Sequence, residues 1–123
     1  MYIQVLVDDK IKGGLAIVDA LRRERIPVSA AFWCRIPDSG YWRLVIASQL
    51  IDRIGPLEGY RRLHLILRRL DLWDDFSGSV SLLSPHDPTF RSLQDYAQGP
   101  GQFGAGVFNG PPNPFQDAYF YHV

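Results

Sequence analysis

Residues 28–48 read VSAAFWCRIPDSGYWRLVIAS, and this stretch decides the fold. It contains two apolar runs rich in β-branched and aromatic residues, which favour strands. The Pro-Asp-Ser-Gly sequence at residues 37–40 between them is typical of a turn, because proline presets φ and glycine accepts positive φ. We therefore predict a hairpin over residues 28–49, with strands at 28–36 and 41–49.

The alternation of side chains along this hairpin predicts that both of its faces are apolar. If Ile36 pairs with Tyr41, Trp33 lies opposite Leu44. The two faces then carry Val28, Ala30, Phe32, Cys34, Tyr41 and Val45 on one side, and Ala31, Trp33, Trp42, Leu44 and Ile46 on the other. Because a hairpin open to water on one side has a polar face, we expect this one to be covered on both sides.

Two or three helices are expected to cover it. The first follows Asp8 and Asp9, either of which can cap a helix, and it ends before Pro27. Its apolar face is predicted at Ile11, Leu15, Val18 and Leu21, which recur at helical spacing. Residues 2–7 are either a strand or the beginning of this helix.

The second helix is predicted to begin at Gly55-Pro56, since proline is favoured in the first turn, and to run to about Leu70. Residues 71–78 are predicted to be an acidic loop that contains Trp73, and a third helix to run from Thr89 to about Ala97. The buried stripe of the second helix is predicted at Leu57, Tyr60, Leu63, Leu67 and Leu70.

Two further strands are predicted, near residues 79–83 and 116–123. Residues 99–114 are rich in glycine and proline and indicate a loop or an irregular strand; whether this loop binds anything is left open. The whole chain, residues 1–123, is thus predicted to be a single α+β domain. Its sheet is small and antiparallel or mixed, with two to three helices packed on it.

Composition excludes several classes of function. Hydrophobic residues make up 46% of the chain, and 13 basic residues balance 13 acidic ones, so no overall charge attracts nucleic acid or an anionic membrane. The sequence contains neither a signal-peptide pattern nor an apolar run of membrane-spanning length. Cys34 is the single cysteine, which suits a reducing compartment. We therefore expect a cytoplasmic protein.

From residue 30 onward the chain is similar to a known group of proteins. The pattern is AAFWCRIPDSGYWRLVIASQLIDRIGP, an arginine-rich helix, SLLSPHDP and a terminal DAYFY. It resembles a family of short bacterial proteins of unknown function. The resemblance implies a compact α+β unit and assigns no functional residue.

The candidate interaction residues lie on the second helix, the hairpin and the last strand. Arginines on the helix side opposite the leucines suggest a surface for phosphates or an acidic partner, or else an ordinary solvated face. The hairpin tryptophans could form an interface or belong to the core. The full set is Trp33, Trp42, Arg61, Arg62, Leu65, Arg68, Arg69 and Tyr119.

No pattern of catalytic residues stands out. His64, His86 and His122 have no metal-ligand spacing, and Cys34 lies in mid-strand on an apolar face. We therefore predict no catalytic residue, metal or cofactor. The preferred interpretation is an interaction or accessory protein, working as a homodimer or with a protein partner that touches Trp42 or Tyr119. A nucleic-acid-binding module that uses the helix at 56–70 is the alternative, and an enzyme ranks third.

Overall fold

The structure of the protein is a computed structural model, and it describes residues 8–35, 41–97 and 118–121. The runs predicted at 2–7 and 99–114 and the hairpin turn at 37–40 lie outside these residues, as do both ends of the last predicted strand. The elements are, in order, α1 (Asp8–Arg23), β1 (Ala30–Arg35), β2 (Trp42–Ala47), α2 (Leu50–Arg69), α3 (Trp73–Phe76), β3 (Val80–Leu83), α4 (Pro88–Ala97) and β4 (Ala118–Phe120).

The four strands form one mixed sheet in the order β3-β2-β1-β4. β1 and β2 pair antiparallel with Trp33 opposite Leu44, so the predicted register is confirmed. β4 pairs antiparallel with β1, whereas β3 runs parallel to β2. Parallel strands need a crossover connection, and α2 provides it. The protein therefore has the predicted α+β fold, with the hairpin at the centre of the sheet.

Both faces of the sheet are buried, as the hairpin pattern predicted. Trp33 and Leu44 lie on the face covered by α1, α2 and α3, and Phe32 and Val45 lie on the other face, against Phe90 of α4. The helical side chains buried against the first face are Ile17, Val18, Ala20, Leu21, Ile51, Leu63, Ile66, Leu67 and Phe76. Most of the core thus lies on the α1–α2 side.

The buried face of α1 differs from the predicted one. Leu15, which we expected to be buried, is 45% exposed, and the buried side contains Gly13 and Gly14. A Cβ on Gly13 would lie 2.6 Å from Cζ of Phe76, and a Cβ on Gly14 would collide with the Tyr121 hydroxyl. The glycines face the core because, having no Cβ, they let the helix backbone approach these two rings closely.

The close packing of α1 against Tyr121 is accompanied by two hydrogen bonds in the core. Nε1 of Trp33 donates to the Tyr121 hydroxyl at 2.8 Å, and that hydroxyl donates to the carbonyl oxygen of Ile11 at 2.6 Å. Burial raises the pKa of Tyr121, so the hydroxyl keeps the proton that it donates. These bonds connect α1, β1 and the residue after β4.

α2 also differs from prediction. It begins at Leu50, and Gly55, with φ 81°, interrupts it just before Pro56. Its buried side includes Gly59 and Ile66, and Leu57 lies outside that side of the helix. The predicted burial of Leu57 is therefore wrong, since this side chain is 87% exposed. The predicted loop at 71–78 contains the short helix α3.

We predict that Gly14→Ala and Tyr121→Phe each destabilise the protein by about 1–3 kcal/mol. The first change adds a methyl group where Tyr121 already lies, and the second leaves the buried N–H of Trp33 without its acceptor. Because Phe lacks the oxygen that the new methyl group meets, the double variant should lose less than the sum, by at least about 0.5 kcal/mol. Urea denaturation measures all three values; strict additivity would contradict the proposed contact.

Two leucines of α2 provide a matched test of its orientation. Leu67→Ala should cost about 2–5 kcal/mol, because Leu67 is buried in the core. Leu57→Ala should change the free energy of unfolding by no more than about 0.5 kcal/mol, because Leu57 is exposed. Equal losses in chemical denaturation would show that the helix faces are assigned incorrectly.

Candidate interaction surface

The outward side of α2 carries a continuous row of alternating leucine and arginine side chains. Leu57, Arg61, Leu65 and Arg68 follow one another at intervals of four, four and three residues. Side chains at these intervals are neighbours on one side of a helix. We call these four residues the α2 ridge. Leu63 and Leu67 of the same helix point the other way, into the core.

The leucines of the α2 ridge are open to solvent. Leu57 is 87% exposed and Leu65 is 53% exposed. Within the described residues, the exposed large apolar side chains are Leu15, Tyr41, Leu57 and Leu65, so half of this set lies on the α2 ridge. Covering apolar surface gains about 25 cal/mol per Å², so a partner that buried both leucines would gain binding free energy from them.

Two carboxylates accompany the arginines of α2. Glu58 lies 3.4 Å from Nη1 of Arg61 and 3.6 Å from Nε of Arg62. Arg69 pairs with Glu24, just beyond the end of α1, at 2.9 Å between Nη1 and Oε2. All of these side chains are substantially exposed, and such pairs contribute about 0–1 kcal/mol each. The two glutamates reduce the local positive charge. Because each ion pair is weak, a carboxylate of a partner can replace the glutamate in it.

Arg68 interacts with an aromatic ring. Its guanidinium carbon lies 4.6 Å from the centroid of the Trp73 ring, and His64 meets the same ring edge-on at 4.9 Å. Among the described residues Arg68 has no ion pair, so its positive charge is not balanced by a neighbouring carboxylate. Trp73, which α3 positions beside α2, thus extends the α2 ridge at its Arg68 end.

A groove lies on the other flank, between the ends of α1 and α2. Its volume is about 330 Å³. The Arg69–Glu24 pair forms part of its lining. The lining residues are Ala20, Arg23, Glu24, Ile66, Arg69 and Leu70. Both helices end here, and arginines near a helix C-terminus complement the helix dipole, which accounts for their presence without a ligand.

The structure separates the predicted interaction residues into three groups. Trp33 is 1% exposed, and Trp42 is buried in the same core cluster, so both tryptophans are core residues. Because Trp33 is buried, a partner cannot contact it directly. Tyr119 is partly buried on the edge strand β4, where its ring lies 5.5 Å from that of Tyr121. The residues that α2 brings together are Arg61, Arg62, Leu65, Arg68 and Arg69.

Sequence reasoning missed two members of this surface, Leu57 and Trp73. Leu57 lies four residues before Arg61, which lies four before Leu65, and that spacing could have placed it beside them. Trp73 follows Arg68 closely in sequence, but no sequence signal predicts that α3 places its ring against the guanidinium of Arg68.

A separate polar cluster lies where the parallel strands β2 and β3 end. The Ser84 hydroxyl donates to Oδ1 of Asp52 at 2.6 Å, and Nδ1 of His86 lies 3.3 Å from Oδ2. A hydrolytic triad needs the serine bonded to the histidine, which takes its proton. Here the Ser84 hydroxyl donates to Asp52 instead, so the cluster lacks the serine–histidine bond of a triad and connects the loop after β3 to α2.

Comparisons with known proteins assign no function to the chain. The chain matches no protein-family model, no curated protein and no solved structure. In residues 8–35, 41–97 and 118–121, no three His, Cys, Asp or Glu side chains come together in a way that could hold a metal ion. None of the helices in these ranges is long and apolar enough to cross a membrane.

The Asp52 cluster predicts a pH dependence. The hydrogen bond from Ser84 is the largest cause that holds the pKa of Asp52 below its ordinary value; desolvation opposes it, and His86 adds a further lowering effect. A carboxyl whose pKa is lowered by folding stabilises the protein above its unfolded pKa, and this contribution is lost as the pH falls. Below about pH 4 the wild type should therefore lose stability more steeply than Asp52→Asn or Ser84→Ala. Denaturation curves between pH 6 and pH 3 test this; parallel slopes for the three proteins would contradict it.

Proposed function

We propose that this protein is an interaction or accessory component without catalytic activity, and that it binds a protein partner through the α2 ridge. The observation that carries the proposal is the exposure of Leu57 and Leu65 beside arginines on one side of one helix. We place the protein in the cytoplasm, which the presence of a single cysteine, Cys34, supports.

A purely solvated helix face explains this surface less well. Leu57 makes little contribution to the core because it is almost fully exposed, and a solvated face requires no leucine there. Arginine is enriched in protein interfaces, where its long side chain combines apolar contact with hydrogen bonding. Leucine and arginine in alternation therefore favour contact with another protein.

Nucleic acid is the less favoured partner. Glu58 pairs with both Arg61 and Arg62, so little uncompensated positive charge remains there for a partner that binds mainly through its phosphates. The two exposed leucines add nothing to phosphate binding, and the chain as a whole has no net charge. A protein partner uses both the apolar and the charged parts of the α2 ridge.

Self-association stays a prediction, but the α2 ridge is poorly suited to it. Two copies placed ridge to ridge about a two-fold axis would bring two positively charged ridges together. A homodimer would have to use another surface, such as the edge strand that carries Tyr119.

The test is co-migration in extracts of cells that naturally produce the protein. We expect the wild type in a nuclease-treated extract to sediment faster than the purified chain of 14.0 kDa. A Leu57→Ser/Leu65→Ser variant should sediment like the purified chain, because its apolar contacts are lost. Leu15→Ser, which changes an exposed leucine on α1, is the matched control and should behave like the wild type.

Two results would contradict the proposal. The first is sedimentation of the wild type as the free chain in the extract. The second is a complex that survives the double substitution, or that disappears on nuclease treatment alone. Circular dichroism and urea denaturation of each variant would show that it is folded.

A further inference from the structure

We infer that the partner docks on the α2 ridge as an acidic amphipathic helix of another protein. This inference rests on the proposed function and specifies the chemistry of its partner. Three features of the described residues support it: the shape of the α2 ridge, the state of the nearest sheet edge, and the distribution of charge.

The shape of the α2 ridge suits a second helix. Leu57 and Leu65 are eight residues apart, which corresponds to about 12 Å along the helix axis, and Arg61 lies between them. Rows of side chains three and four residues apart form ridges that pack into the grooves of a neighbouring helix. A helix with apolar side chains at similar intervals can therefore cover both leucines at once.

An added strand is a poorer fit. An extended peptide would have to pair with a free edge of the sheet, and β3 is the edge strand nearest α2. The backbone N–H of Leu82 in β3 already donates to the hydroxyl of Tyr60 on α2, at 2.9 Å. The hydroxyl of Tyr60 on α2 thus uses a backbone N–H that a docking strand would need. A partner near this edge is therefore better placed on the outward side of α2.

The charge of α2 points to an acidic partner. The helix contains five arginines and two acidic residues. Arg68 has no ion pair among the described residues, and Arg61 shares the carboxylate of Glu58 with Arg62. Carboxylates that flank the apolar stripe of the partner would pair with Arg61, which lies between the two leucines, and with Arg68, which follows Leu65. Such pairs add specificity and speed of association to the affinity that the leucines provide.

The experiment is selection from a phage-displayed library of random 16-residue peptides on which no conformation is imposed. Selection uses the full chain, with counter-selection against the folded Leu57→Ser/Leu65→Ser variant, so that clones dependent on the α2 ridge are retained. We expect these clones to be enriched in Asp and Glu, with apolar residues at intervals of three and four.

Binding of the enriched peptides is then measured by fluorescence anisotropy. Arg61→Glu/Arg68→Glu should weaken binding at least tenfold, Leu65→Ser should weaken it to a similar degree, and Leu15→Ser should leave it unchanged. Raising the salt concentration should weaken binding to the wild type more than binding to the charge-reversed variant, because salt screens exposed charges.

The outcomes separate this inference from the proposed function. Ridge-dependent clones without an excess of acidic residues, or with an extended pattern, would overturn the acidic helix and leave a protein partner in place. Failure to obtain ridge-dependent clones would also overturn the acidic helix, whereas the proposed function depends on the co-migration experiment. Tighter binding of a single-stranded oligonucleotide than of any selected peptide, unaffected by Leu65→Ser, would overturn both in favour of nucleic acid.

Discussion

The contact between Gly14 and the Tyr121 hydroxyl is the constraint on which most of the structure depends. It brings the backbone of α1 against the sheet, where the hydroxyl accepts from Trp33 and donates to Ile11. The position of α1 in turn decides which side of that helix is buried and therefore that Leu15 faces solvent. α1 and α2 pack on the same face of the sheet and contact each other, so α1 also covers part of α2.

The central hairpin could be predicted in detail from sequence. Its side chains alternate along both strands, and a shift of one residue would exchange the two faces, so the pairing of Trp33 with Leu44 follows once the turn is recognised. The parallel pairing of β3 could not be predicted as firmly, because residues 79–83 contain no turn signal that specifies a neighbour. The buried side of α1 was predicted less accurately, since Gly13 and Gly14 carry no apolar signal although they lie where the helix approaches Phe76 and Tyr121.

The candidate surface was predicted in part for a similar reason. Helical spacing placed Leu65 beside the arginines, but it also assigned Leu57 to the buried stripe. The positive φ of Gly55 separates the first turn of α2 from the rest, so the orientation of the helix is fixed by Gly59 and Ile66 against the core. Spacing alone gives the relative positions of side chains around a helix, whereas the direction in which a given side points depends on tertiary packing.

The hydrogen bonds of Tyr121 also have a consequence for the order in which the protein folds during synthesis. Trp33 and Ile11 are separated from Tyr121 by 88 and 110 residues, so neither bond can form until residue 121 has left the ribosome. The hairpin, whose partners are close in sequence, can form much earlier. Until then the nascent chain holds an apolar sheet face without its final packing, and a chaperone that shields such surfaces would act during this interval.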